Sequence, residues 1–183
     1  GQQPVFLCRA AFGWLVLDRA AGRDLLDWVA GRESPPPGSS LARLLARNRP
    51  RPEIEAAVRG RAHAVLSDAR LLRWFAGQPP GSVFLNVGHM NLEAWLLAGI
   101  AAAGVKPVVM IHDTIALDHP HWSGPSAPQR FGAALGAVIG HAALILVPTQ
   151  STAKDIARHA AGIGPVPPVA SVPLGVMVTS PDP

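Results

Sequence analysis

The sequence predicts an α/β fold built on a doubly wound, mostly parallel sheet, and three observations predict it. From residue 82 onward, short β-rich runs alternate with helical segments in the order βαβαβαβ, the pattern that crossover connections turn into a parallel sheet. The runs "SVFLNV", "KPVVMIH" and "ALILVP" are apolar throughout instead of at every second position, as expected of strands with helices on both faces. Polar clusters follow three of these strands, at the carboxyl ends where open parallel sheets bind ligands.

Each element has its own warrant. "VFLC" and "GWLVLD" read as two strands a few residues apart. "RAAGRDLLDWVAG" reads as a helix stopped by Gly31, and "RESPPPGSS" as a loop, because three prolines cannot continue a helix. Residues 41–49 give a short helix ended by Pro50 and Pro52. A continuous helix is expected over 53–76, where Val58, Ala62, Val65, Ala69, Leu72 and Ala76 recur at three- and four-residue spacing. After the strand "SVFLNV", a helix is expected over 91–103, with Asn91 as its N-cap and Gly104 as its stop. A helix over 130–140 follows the strand "KPVVMIH" and a Pro-rich loop. Thr149 caps the helix after "ALILVP", with Ala153, Ile156, Ala157 and Ala160 on one face, and "PVASVPL" is the last strand. Trp28, Trp74 and Trp95 are expected in the core.

Composition narrows the function. The 183 residues are 49% hydrophobic and 15% charged, which fits a folded domain and argues against disorder. The formal charge is +4, and Lys106 and Lys154 are the only lysines. Arginine favours bidentate contact with phosphate or carboxylate, so a polyanionic ligand or an anionic membrane surface is compatible. The basic residues are scattered without aromatic interleaving, which argues against nucleic acid. Cys8 is the only cysteine, so no intrachain disulfide forms and a reducing compartment is favoured. The apolar windows 94–105 and 133–147 are shorter than the ~20 residues of a spanning helix. "GQQPVFLC" has neither a basic n-region nor an initiator methionine, and reads as a chain entered midway; "VMVTSPDP" reads as a cut.

The three strand-end loops hold the candidate chemistry. "NVGHMNL" carries Gly88, His89 and Asn91; "HDTIALDHPHW" carries His112, Asp113, His119 and His121; "PTQST" carries Thr149 and Gln150. An imidazole at a strand tip can bind a ligand hydroxyl or phosphate, or act as acid or base near neutral pH. Asp113 can orient that imidazole or cap local amides. Gly88 allows close approach of backbone to a ligand, and the helix opened by Thr149 and Gln150 favours an anionic group. Plain N-capping is the competing reading of Thr149, and a polar turn that of His119 and His121. His89, His112, Asp113, His119 and His121 are acceptable zinc ligand types, although their spacing matches no compact metal motif. The chain has no Gly-x-Ser-x-Gly elbow, Walker loop or Gly-x-Gly-x-x-Gly.

"HDTIALDHP", a helix, "ALILVPTQSTAKDIARH" and "VASVPLGV", in that order, resemble the N-terminal half of a family-four, retaining glycosyltransferase with two Rossmann domains, the GT-B type. "NVGHMNL" is similar to the acceptor-side loop of a bacterial subset. The resemblance covers residues 83–176. It implies a Rossmann-like sheet over 1–176 that forms one half of a GT-B architecture, with the first strand missing and 177–183 beginning the crossing to an absent C-terminal domain. It implies that His112 holds the donor sugar during transfer and that Asp113 supports that loop. Gly88, His89 and Asn91 would face the acceptor, Thr149 and Gln150 would open the helix beside the substrate, and Gly175 would mark the crossing. Thr149 stands where serine is usual, and Ala116 where proline is common. The partners implied are a nucleotide sugar, a glycan or lipid-linked saccharide acceptor, and the C-terminal domain. No metal cofactor is implied. The implied location is the cytoplasm, with peripheral contact at the inner face of a membrane. Two other readings compete: a metal-dependent α/β hydrolase using His89, His112, His119 and His121, and a non-catalytic domain that binds a sugar or phosphate.

Overall fold

The computed structural model describes residues 4–46 and 51–175. The chain divides into two compact units, Gly1–Trp74 and Phe75–Pro183, so the expected span of 1–176 contains two bodies. Residues 47–49 of the expected short helix, and 177–183, lie outside the described residues.

In the first unit β1 (Phe6–Ala10) and β2 (Gly13–Leu17) form an antiparallel hairpin, from Phe6 opposite Leu17 to Ala10 opposite Gly13. Gly13 has φ +116°, and a Cβ there would collide with the Leu66 carbonyl; the hairpin needs glycine at this point. Helix α1 (Arg19–Val29) starts at Asp18, whose carboxylate accepts the Ala21 N–H at 2.9 Å. Helix α2 (Ser40–Ala46) is followed by α3 (Pro52–Arg61), which has proline in its first turn. The core gathers Leu15, Leu17, Ala21, Trp28, Ala57 and Val58.

The continuous helix expected over 53–76 is broken. After α3 the backbone turns extended at Ala62 (ψ 128°). The His63 N–H then donates to the Val16 carbonyl at 2.8 Å, and β3 (Ala64–Leu66) pairs antiparallel with β2. A new helix, α4 (Asp68–Ala76), follows directly. The helical spacing of Val58, Ala62 and Val65 is coincidental. Pairing with β2 outweighs it, because Val65 and Leu66 are at least as suited to a strand as to a helix. Trp14, buried in β2, donates its indole N–H to Asp68 at 2.8 Å and so ties the start of α4 to that sheet.

The second unit is α/β and Rossmann-like. Strands β4 (Val83–Asn86), β5 (Lys106–Met110), β6 (Leu144–Val147) and β7 (Val169–Ser171) form a parallel sheet in sequential order. That order is the one found in a single wing of a doubly wound sheet. One core cluster joins alternate strand residues to the helices that flank the sheet, while on the opposite face Met110 is also buried. Val109, Ile111, Ile145 and Val147 pack with Leu97 of α5 (Ala94–Ala102), Leu135 and Val138 of α7 (Ala127–His141), and Ile156 of α8 (Gln150–Ala160). On the opposite face Leu85 of the edge strand is 56% exposed. Helix α5 begins at Ala94 behind Glu93, and Asn91 is not its cap. Asn91 has φ +58°, a left-handed conformation that asparagine tolerates better than most residues, and this holds it outside the helix. Trp28 is buried as expected, but Trp74 is only half-buried and Trp95 is 39% exposed.

Two substitutions test this packing. Ile145→Ala, at a position with no exposure, should cost about 2–5 kcal/mol, read from the unfolding transition of the second unit in denaturant. Gly13→Ala should lower the stability of the first unit by more than ~1 kcal/mol, seen as earlier loss of the Trp14 fluorescence environment.

Candidate functional site

The carboxyl edge of the parallel sheet is organised around His112. Strand β5 ends at Met110, Ile111 continues the ladder by donating to the Leu146 carbonyl at 2.9 Å, and His112 is the first residue to leave it. Its backbone N–H donates to Nε2 of His89 at 3.0 Å. Its own Nε2 is 2.7 Å from the Val87 carbonyl. A carbonyl can only accept, so the His112 Nε2 carries the proton. Nε2 of His89 accepts a backbone N–H and is therefore unprotonated. These two bonds set both tautomers: His112 keeps Nδ1 for a ligand, and His89 keeps its Nδ1–H as a donor.

Burial pushes the His89 pKa below its ordinary value, the neighbouring His112 lowers it further, and Asp113 opposes both. The ring lies between His112 (centroids 5.2 Å apart) and Phe131 of α7 (5.4 Å). On the other side of His112, Thr152 donates its hydroxyl to the His112 carbonyl at a long 3.4 Å. Thr152 is in turn held by Thr149, whose side chain accepts the Thr152 N–H at 3.1 Å and caps α8. One residue thus joins the ends of β4, β5 and β6.

The sequence-derived candidates fall into two groups. His89, His112, Asp113, Gly88, Thr149 and Gln150 lie on the loops that leave β4, β5 and β6. Asp113 is exposed, and its Oδ1 accepts the Ile115 N–H at 3.0 Å, which shapes the turn after β5. The Gly88 N–H donates to Asn86 at 3.0 Å, and a Cβ at Gly88 would meet nothing within 4 Å. Gln150 is exposed in the first turn of α8. Gly175, past β7, also has open space around it, and it stands apart from the His112 cluster. His119 and His121 are not part of that cluster either; their rings pack around Trp122.

Sequence reasoning missed the support beneath the site. Thr114 and Thr152 are the buried polar residues of the described chain, 3% and 7% exposed. Thr114 donates to Asp118 at 2.6 Å. Asp118, in the short helix α6 (Ile115–Asp118), also meets Arg158 and His159 of α8, each at 2.8 Å. The Thr114 hydroxyl, then the Arg158 and His159 hydrogen bonds, hold the Asp118 carboxyl well below the usual carboxylate range, against the opposing effect of burial. Thr114 and Asp118 are four apart, a spacing legible in sequence; the forty-residue reach to α8 is not.

Among the described residues, no group of three His, Cys, Asp or Glu side chains is placed to hold a metal ion. A cavity of about 440 Å³ elsewhere in this unit is lined by Ala157, Ala160, Gly162, Ile163 and Val166, without a titratable or nucleophilic side chain. A smaller one, about 280 Å³, in the first unit includes Cys8 and Glu55; burial and Glu55 raise the Cys8 pKa, which keeps the thiol protonated. The strand-tip edge is the stronger candidate because its polar groups converge. No protein-family model matches the chain, and neither any curated protein nor any solved structure matches it.

The His89 tautomer gives a pH prediction. Above the ordinary pKa of 6.5, folded and unfolded His89 are both neutral. As the pH falls through 6.5 the unfolded chain takes up the proton first, so stability declines until the folded imidazole titrates. Urea denaturation at a series of pH values should show this decline, and His89→Gln, which can still accept the His112 N–H, should flatten it.

Proposed function

We propose that this chain is the acceptor-side half of a retaining GT-B glycosyltransferase that moves a sugar from a nucleotide-sugar donor to a glycan or lipid-linked saccharide. The observation that carries the reading is the His112 ring at the carboxyl edge, pinned through Nε2 with Nδ1 left for a ligand. In the reaction the bond from the anomeric carbon to the diphosphate breaks and its electron pair leaves with the diphosphate oxygen, a bond to the acceptor oxygen forms, and the acceptor hydroxyl's proton passes to the leaving diphosphate. His112 Nδ1 meets a hydroxyl of the donor sugar and fixes its position while charge develops at the anomeric carbon. The Nδ1–H of His89 and the backbone at Gly88 face the acceptor, with Asn91 on the same loop. Asp113 holds the turn that presents His112. The amides at the start of α8, at Thr149 and Gln150, favour an anionic group, and Gly175 leads toward the second domain. That domain holds the nucleotide, and no bound metal is needed. The chain acts in the cytoplasm, against the inner face of a membrane where the acceptor is lipid-linked. No helix among the described residues is long and apolar enough to cross a membrane.

The hydrolase reading fares worse. It needs four histidines to converge, whereas His89 and His112 pack on each other and His119 and His121 pack around an indole. A non-catalytic sugar- or phosphate-binding domain remains the second reading, since the same Nδ1 atom serves binding without turnover. The two separate on His112→Ala in the protein carrying its second domain. Transfer should fall roughly a hundredfold or more, with the fold preserved by circular dichroism. Transfer unchanged by the substitution removes His112 from the mechanism.

A further inference from the structure

We propose that Trp122 is a stacking platform for a saccharide ring; that this saccharide is the acceptor glycan rests on the glycosyltransferase reading. Trp122 ends a 3-10 turn, Pro120–Trp122, on the connection that leaves β5 through His112 and Asp113. It is 69% exposed, although an indole carries one of the largest apolar surfaces of any side chain. The residue is nonetheless held in place. The His119 ring stacks on the indole with centroids 4.3 Å apart and planes 25° from parallel. His121 stands edge-on at 5.4 Å and 70°. The Trp122 backbone N–H donates to the His119 carbonyl at 2.9 Å. Beneath it, α6 is fastened to α8 by Asp118 with Arg158 and His159.

The result is an aromatic surface backed by one imidazole and flanked by another, its free face turned to solvent. A pyranose ring is the complementary shape. Its axial hydrogens make one face apolar, and its hydroxyls project around the rim. The indole takes the apolar face, and the imidazoles supply a donor and an acceptor each to the rim. A folded protein partner would need an apolar surface far wider than one indole. A nucleobase also stacks on indole, and the test separates it from a sugar.

The experiment is saturation-transfer NMR on the full chain with methyl glycosides of glucose, galactose and N-acetylglucosamine, and with uridine. The expected result is saturation of ring protons on the apolar face of a glycoside. It should be roughly tenfold weaker or lost in Trp122→Ala and retained in Trp122→Phe, with unchanged circular dichroism in both. Saturation of uridine alone, of no probe, or of a glycoside equally in wild type and Trp122→Ala overturns the platform. Any of these outcomes overturns it even where His112→Ala abolishes transfer. Conversely, Trp122-dependent saturation in a protein without transfer activity keeps the platform and removes only the glycosyltransferase reading.

Discussion

The second unit depends on β5 being hydrogen-bonded on both sides. Val108 and Val109 pair with Leu85 and Asn86 on one flank and with Leu144 and Ile145 on the other. Val109 and Ile111 are wholly buried against the helices, each contributing about 1.5–3 kcal/mol of apolar burial. A strand fixed on both edges cannot slip by a residue without turning its buried set to the opposite face. The position of His112, the first residue past the ladder, is therefore set by the core and not by the loop that follows it.

The same logic extends to the connection after the strand. The segment that contains Pro120 and Pro125 makes local turn and helix hydrogen bonds, among them Asp118 N–H to the Thr114 carbonyl and Ser123 N–H to the Pro120 carbonyl. Here Thr114 turns inward to hold Asp118, and Asp118 reaches α8 through two basic side chains. Because the Asp118 carboxyl stays ionised well into acid, this fastening persists over the range in which histidines titrate. The loop is anchored by charge at its base and by stacked rings at its tip.

The sequence told most about the sheet, and the reason is physical. Parallel strands buried against helices must be apolar, so "KPVVMIH" and "ALILVP" announce themselves, and the strand-end rule then selects three loops without any motif. The region before residue 77 was less legible because β3 is three residues long and stabilised by β2, a partner some fifty positions away. Local spacing cannot register such a pairing, and Ala62 and Val65 imitated a helix stripe. Asn91 misled for a related reason: asparagine is favoured both as a helix cap and in the left-handed region, and only the path of the loop decides between them. At the site, residue types and strand tips were visible in the sequence. The direction of each imidazole was not, because it is set by the Val87 carbonyl and the His112 N–H, backbone groups whose placement only the fold determines.

One consequence follows from the way His112 is tied. Most exposed side chains at a binding edge sample several rotamers and must be frozen when a ligand arrives, an entropic loss that weakens association. The His112 ring has already lost that freedom on folding, because its Nε2 is bonded to Val87 and its main chain to His89 and Thr152. A ligand meeting Nδ1 encounters a group whose orientation was settled when the sheet formed. On the proposed reading, selectivity at this edge comes from which hydroxyl geometry fits a fixed nitrogen, because the ring has no freedom left with which to follow a mismatched ligand.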